Sequence, residues 1–256
     1  MVPLRQLGRR IMRLRIAAFV LAFLLFLPAA RSETVDLLLT LVTDVSRSID
    51  GEEYALQKQG YLIALTDPRV LAAIQSGVVG AIAVNYIEFA GAEEVRTVVG
   101  WTVVRDEASA RSFAQAIQDA PRSFMGRTAI SSGIHHAMRE IAAAPHVAER
   151  RVIDVCGDGT SNSGPPIAEA RDAAVAAGFT VNGLVILSEP NWPGNEAHVR
   201  PPGGLRKYYE ENVIGGIGSF AMEANDFKSF GVAMTRKLLT EIAGLQPGRV
   251  KKWVAR

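Results

Sequence analysis

The 256-residue chain has one cysteine, Cys156, so no intrachain disulfide can form. An oxidising compartment, if the chain reaches one, is not used to staple the fold. It has only four histidines, and two of them, His135 and His136, are adjacent and face different ways on a helix. With no paired cysteines, a His/Cys zinc centre does not fit. No Gly-x-x-x-x-Gly-Lys-[Ser/Thr] phosphate loop occurs. "GTSNSG" at 159–164 has the wrong spacing for a nucleophile elbow, and "GGIG" at 215–218 does not follow a strand with dinucleotide-binding spacing. Asp44-Val45-Ser46 lacks the second Asp of the aspartyl phosphotransferase pattern. No general base stands out near any of these segments, which argues against an enzyme.

Long apolar runs are also scarce. The exception is "IAAFVLAFLLFLPAA" at 16–30, preceded by five arginines without an acid and followed by "RSE". A basic leader, a short apolar core and small exit residues read as a signal peptide over 1–32 and an exported, periplasmic or secreted protein. The run falls short of the roughly 20 residues of a comfortable span, and an uncleaved N-terminal membrane anchor is the alternative. Removing 1–32 takes away six arginines and no acid. The remainder has 22 Lys and Arg against 26 Asp and Glu, a net charge of −4, where the whole chain has +2. The basic character belongs to the leader, and nothing supports a nucleic-acid footprint.

What remains is globular in composition, with 48% hydrophobic and 21% charged residues over the whole chain, enough for a full core. Apolar runs at 35–43, 78–89, 98–104, 150–156 and 179–187 read as strands, and 216–223 as a last one. Helical patterns begin after Asp50, Asp106, Thr128 and Pro165-Pro166, and a final helix covers 226–243. Asp50-x-x-Glu53 is a capping box, and Asp67-Pro68 stops the helix it opens. Alternation of this kind predicts an α/β fold: a doubly wound, mostly parallel sheet with helices on both faces, one domain over 33–245, and a short basic tail at 246–256.

The chemistry concentrates where the first strand ends. "LTLVTDVSRSIDGEE" at 39–53 leaves an apolar run and at once presents Asp44, Ser46 and Ser48 at alternate positions. In extended chain such residues share a side. Three oxygens just past a strand's carboxyl end suit a hard cation. The alternative is that both serines merely satisfy turn and cap donors. Two further segments bear on the choice: "MGRTAISSGI" puts Thr128 at a loop-to-helix junction, and "RVIDVCGDGTSN" puts Asp158 just after a buried strand.

Taken together, these segments resemble the von Willebrand factor A-like (VWA) domain and its metal-ion-dependent adhesion site (MIDAS), and are similar to a secreted bacterial branch of unknown function. The matched positions are Asp44, Ser46, Ser48, Thr128 and Asp158. The family commonly has Thr before that last Asp; here Gly157 stands there. The resemblance implies that Ser46, Ser48 and Thr128 give hydroxyl oxygens to Mg2+, with Mn2+ or Ca2+ as substitutes. Asp44 and Asp158 would bind it directly or through water. It implies further that the remaining position takes an acidic group from a protein partner. A metal-dependent hydrolase on the same cation site is the alternative function.

Elsewhere, Cys156 ends an apolar strand and reads as a buried, inert residue, and Asp154 as a structural one. The segment 188–213 is polar, rich in Pro and Gly, and longer than an ordinary loop. It should leave the sheet on the cation's side. It holds Trp192, Arg200, Arg206, Tyr208 and Tyr209, residue types enriched at binding hot spots. With Arg47 and Arg127 beside the motif, they form the expected partner-binding set.

Overall fold

The computed structural model describes residues 32–189 and 195–244. The leader, Trp192 and the basic tail lie outside the described residues. The sheet has six strands: β1 (Leu37–Asp44), β2 (Ile82–Phe89), β3 (Val95–Val104), β4 (Arg150–Gly157), β5 (Thr180–Ile186) and β6 (Ala221–Ala224). Their order is β3-β2-β1-β4-β5-β6. All neighbours run parallel except β3, which pairs antiparallel with β2 at one edge. The chain works outward from β1 in one direction and then returns to place β4 on its other side. The crevice between the carboxyl ends of β1 and β4 is therefore the topological switch point, where open α/β sheets place their ligands.

Eight helices occur among the described residues: α1 (Gly51–Leu65), α2 (Pro68–Gln75), α3 (Glu107–Asp119), α4 (Ile130–Ala142), α5 (Ile167–Ala176), α6 (Glu196–Val199), α7 (Leu205–Asn212) and α8 (Phe230–Ala243). They cover both faces. β1 is buried along its whole length, and its side chains alternate. Leu37, Leu39 and Leu41 join Tyr61, Phe113, Phe230 and Leu238 in one core. Leu38 and Val42 join Ile130, Ile134, Ala174 and Tyr209 in the other. None of the helices described is long and apolar enough to cross a membrane.

Several boundaries differ from the sequence reading. β1 starts at Leu37 because the Asp36 carboxylate turns away to accept from Val79 N (2.9 Å) and Gly80 N (2.8 Å). That contact ties 76–80 into a turn, so β2 begins at Ile82 and Val78 is fully exposed. The pair Asp67-Pro68 ends α1 and also opens α2: Asp67 accepts from Arg69 N (2.8 Å), and Pro68 takes the first helical position, where its missing N–H costs nothing. Residues 216–220 are a glycine-rich bend, leaving β6 only four residues long. Asp226 and Ser229 close a turn of their own, Ser229 N donating to Asp226 Oδ1 at 2.7 Å, so α8 begins at Phe230. The long segment after β5 is not a plain loop, since it folds into α6 and α7.

Lys237 carries no signal in the sequence. On an amphipathic helix it reads as solvated, yet it is fully buried beneath the sheet. Its ammonium lies 2.5 Å from Asp154 Oδ1 and is also bonded to Glu241. Asn182 Nδ2 donates to Glu241 Oε1 at 2.8 Å. Burial works against the ammonium, but Asp154 and Glu241 outweigh it and hold Lys237 above the ordinary lysine value. Removing the cation leaves two carboxylates buried without compensation. Lys237→Met should therefore lower unfolding stability by about 3–5 kcal/mol, read from urea denaturation. A loss below about 1 kcal/mol would mean that the carboxylates are already neutral in the wild type.

Candidate metal centre

Register delivers the first carboxylate. Thr43 on β1 lies opposite Cys156 on β4, so Asp44 comes beside Gly157 and Asp158 follows as the chain leaves the sheet. Asp44, Ser46, Ser48, Thr128 and Asp158 are all buried. Their polar atoms form a series. Thr128 Oγ1 donates to Ser46 Oγ at 3.0 Å, Ser46 Oγ and Ser48 Oγ are 3.0 Å apart, and Ser48 Oγ donates to Asp158 Oδ1 at 2.8 Å. Asp158 Oδ2 accepts from Ser188 Oγ at 3.1 Å.

The convergence does not come from extended chain. After Asp44 the backbone turns: Ser46 N donates to Asp44 Oδ1 (2.7 Å), and Ile49 N to Ser46 O (3.0 Å). The turn buries both serines and leaves Arg47 exposed. One residue that carries no motif holds it in place. Arg122 Nη2 donates to the carbonyls of Val45 (2.8 Å), Ser46 (2.7 Å) and Ile49 (2.9 Å). The carbonyls point at the guanidinium, and the hydroxyls face the other way.

Thr128 precedes α4 but does not cap it; no side chain does, and its hydroxyl belongs to the series above. Asn162, from the loop after β4, fixes its backbone instead. Asn162 Oδ1 accepts from Thr128 N (3.0 Å), and Asn162 N donates to Thr128 O (2.8 Å).

The electrostatics disfavour two uncompensated charges at this point. Burial first, then the Asp158 charge, raises the Asp44 pKa above the ordinary carboxylate range. Burial raises Asp158 as well, against the hydrogen bonds from Ser48 and Ser188. Asp44 Oδ2 is buried without a hydrogen-bond partner. A divalent ion would answer both conditions, and two carboxylates with three hydroxyls are oxygen donors of the kind Mg2+ or Mn2+ takes. The centre is hydroxyl-rich: among the described residues, no group of three or more His, Cys, Asp and Glu is arranged to hold a metal.

The expected partner-binding residues separate. Arg47 and Arg127 are exposed beside the series, with Arg127 Nε 3.4 Å from Asn162 Oδ1. Arg200 is exposed and paired with Glu189, and Arg206 with Glu210. Tyr208 is half-buried, its hydroxyl accepting from Ser161 N at 3.1 Å. Tyr209 corrects the sequence reading: it is wholly buried in the core and offers no surface to a partner. It is amphipathic α7 that turns Tyr209 inward.

Tyr209 also explains the unusual glycine before Asp158. A Cβ on Gly157 would lie 2.7 Å from Tyr209 Oη and 3.1 Å from Asp44 Cβ. The tyrosine hydroxyl takes the space that a side chain at 157 would need. Gly159 is crowded in the same way by His198, a residue with no motif around it; a Cβ there would meet its Nε2 at 2.1 Å. Burial first, then Arg47 and Arg127, holds the His198 imidazole below the ordinary histidine pKa. Beside the centre opens a cleft of about 710 Å3 bordered by Glu53, Ser188, Glu189, Arg200 and Phe227.

Residues 34–246 match the family described as "Protein of unknown function (DUF1194)". No curated protein matches the chain. Three solved structures are similar in fold. One is proximal thread matrix protein 1 from the mussel byssus with a zinc-occupied MIDAS motif, at 18% identity and TM-score 0.56, covering 83% of this chain and 49% of that one. Another is a von Willebrand factor type A protein from Catenulispora acidiphila, at 16% and 0.55, covering 81% and 43%. The third is the pilus adhesin SpaC of Lactobacillus rhamnosus GG, at 12% and 0.58, covering 82% and 31%. The chain thus spans under half the length of each, and the shared feature is a VWA-like fold.

Steric coupling around Gly157 is directly measurable. Gly157→Ala should cost about 1–3 kcal/mol by overpacking in the wild type, and clearly less in a Tyr209→Phe background that lacks the crowding hydroxyl. Equal costs in both backgrounds, from chemical denaturation of the four proteins, would show that the hydroxyl is not what the glycine accommodates.

Proposed function

Because the chain belongs to the DUF1194 protein family of unknown function, we propose a role from its site: an exported, metal-dependent protein-binding module. The carrying observation is the buried series Thr128–Ser46–Ser48–Asp158 beside an Asp44 oxygen that has no partner. Those five residues would hold a divalent cation, with Mg2+ as the first choice on donor type and Mn2+ or Ca2+ as substitutes. When bound, the cation supplies a Lewis-acidic point that attracts a further carboxylate, here one presented by a protein partner. The MIDAS named for the mussel protein and the adhesin named among the similar folds support this reading.

The chain's own residues set the terms of binding. Arg122 fixes the serine turn, so the hydroxyls are in place before a ligand arrives. Exposed Arg47 and Arg127 favour an anionic group at the rim. The neighbouring cleft is lined by Asp50, Glu52, Glu53, Glu189 and Asp226 against Arg200 and Lys228. An acidic residue set among neutral or basic neighbours therefore suits the partner better than a broadly acidic face.

Metal binding has a stability readout. At 100 times the dissociation constant, Mg2+ or Mn2+ should stabilise the native state by about 2.7 kcal/mol, and Asp158→Ala should abolish the shift. A wild-type melt indifferent to saturating metal would overturn the reading. Affinity capture with Mg2+ and again with chelator tests the partner, and an acidic ligand should be retained only with the metal. Metal-assisted hydrolysis is the second reading, favoured by the imidazole of His198 beside the series. Turnover of phosphoester or peptide substrates, present in the wild type and absent in Asp44→Ala, would establish it. Export predicts a mature N-terminus near Ser32 by mass spectrometry, and an intact Met1 in a soluble cytoplasmic fraction would refute it.

A further inference from the structure

His198 belongs to α6, in the segment between β5 and β6, and its ring lies at the open end of the hydroxyl series. His198 Nε2 is 3.4 Å from Thr128 Oγ1. Its backbone is tied to the loop that carries Asp158, with Thr160 N donating to His198 O at 3.0 Å. His198 Nδ1 lies 3.2 Å from Thr160 Oγ1 and 3.3 Å from Asn162 Nδ2. The residue after Asp158 is a glycine against which the imidazole packs directly.

We propose that His198 Nε2 is a ligand of the cation and fills the coordination position otherwise left for a partner's carboxylate, so that the centre caps itself. This rests on the reading of Asp44, Ser46, Ser48, Thr128 and Asp158 as the cation's site.

Spacing carries the inference. Around an octahedral ion with bonds of about 2.1 Å, adjacent donors lie about 3 Å apart. The series runs 2.8 Å from Asp158 to Ser48, 3.0 Å to Ser46, 3.0 Å to Thr128 and 3.4 Å to His198 Nε2. His198 is the next member, and the only nitrogen in it. A metal-bound histidine needs its other ring nitrogen protonated and held by an acceptor. Thr160 Oγ1 stands where it can accept from Nδ1–H. Asn162 Oδ1 is already engaged by Thr128 N, which turns Asn162 Nδ2 toward Nδ1. Asn162 therefore serves the opposite tautomer, the one in which Nε2–H donates to Thr128 Oγ1. The two neighbours of Nδ1 thus match a metal-bound and a metal-free ring.

Two consequences follow. An imidazole among oxygen donors shifts preference from Mg2+ toward Mn2+ and Zn2+. A partner's carboxylate then binds by displacing His198, and it binds less tightly than it would to an uncapped ion.

The test uses the full chain loaded with Mn2+. Pulsed electron paramagnetic resonance should show nitrogen-14 coupling from a directly bound imidazole in the wild type, lost in His198→Gln. By competition titration, His198→Gln should lose about tenfold or more in Mn2+ and Zn2+ affinity and much less in Mg2+ affinity. Acetate, as a simple carboxylate probe, should bind the Mn2+-loaded variant more tightly than the wild type. Thr160→Val, which leaves His198 in place, should also weaken Mn2+ binding. If Mn2+ stabilises the wild type but no nitrogen coupling appears, His198 is not a ligand and this inference fails alone. If no metal stabilises the wild type, the cation reading fails with it. The wild-type spectrum needs no variant, so a misfolded His198→Gln cannot shelter the proposal.

Discussion

The centre depends on one guanidinium. Three backbone carbonyls of the turn after β1 rely on it: those of Val45 and Ile49 would be stranded without it, and that of Ser46 would keep only the Ile49 N–H. Arg122 meets all three from a single nitrogen, while its Nε reaches Phe124 O at 3.0 Å. The planar fork fixes the turn's outer side as firmly as a strand would. With the carbonyls drawn outward, Ser46 and Ser48 have only the inner side left. Arg122 is itself steadied, lying 5.4 Å over the Tyr54 ring, whose hydroxyl donates to buried Glu88 at 2.8 Å. The first turn of α1, the end of β2 and the loop before Thr128 are thus coupled to the placement of two hydroxyls.

The segment between β5 and β6 is built into this arrangement. His198 and Tyr209 pack against the two glycines that flank Asp158, Tyr208 takes the Ser161 amide, and Ser188 donates to Asp158 itself. A segment that selects partners while a separate centre holds the ion is too simple a picture. The same segment shapes the turn carrying the second carboxylate, so exchanging it would alter the centre.

Much of this was legible beforehand because it rests on local rules. The capping box at Asp50 and Glu53 forms as read, with Asp50 Oδ1 accepting from Glu53 N at 2.9 Å. The buried β1 and β4 follow from apolar runs, and Asp44, Ser46, Ser48, Thr128 and Asp158 were legible as a set. What escaped depends on long-range contacts. Arg122 sits in a loop with no motif, and the three carbonyls it holds in the turn after β1 are more than seventy positions away. Lys237 looks like the polar side of a helix because its counter-charge Asp154 lies on a different strand. His198 was one histidine in a polar stretch, and only the fold brings it to Thr128. Asp44, Ser46 and Ser48 do come together, but a turn rather than a pleat aligns the serines.

β4 and the turn that follows it carry two buried carboxylates that the chain treats differently. Asp154 and Asp158 are four positions apart, both fully buried, and each has a second carboxylate nearby: Glu241 for Asp154 and Asp44 for Asp158. For the first pair the protein supplies Lys237, held between the two groups. For the second pair no ion pair exists among the described residues. Arg122 lowers the Asp44 pKa from a distance, but its N–H groups go to carbonyls. Hydroxyls and one amide are what the chain places against Asp44 and Asp158, and these orient a charge without neutralising it. A sequence that compensates one buried pair with lysine and gives its neighbour a ring of oxygens has left room for a positive charge from solution. His198 Nε2, 3.4 Å from Thr128 Oγ1, stands at the end of that row of oxygens.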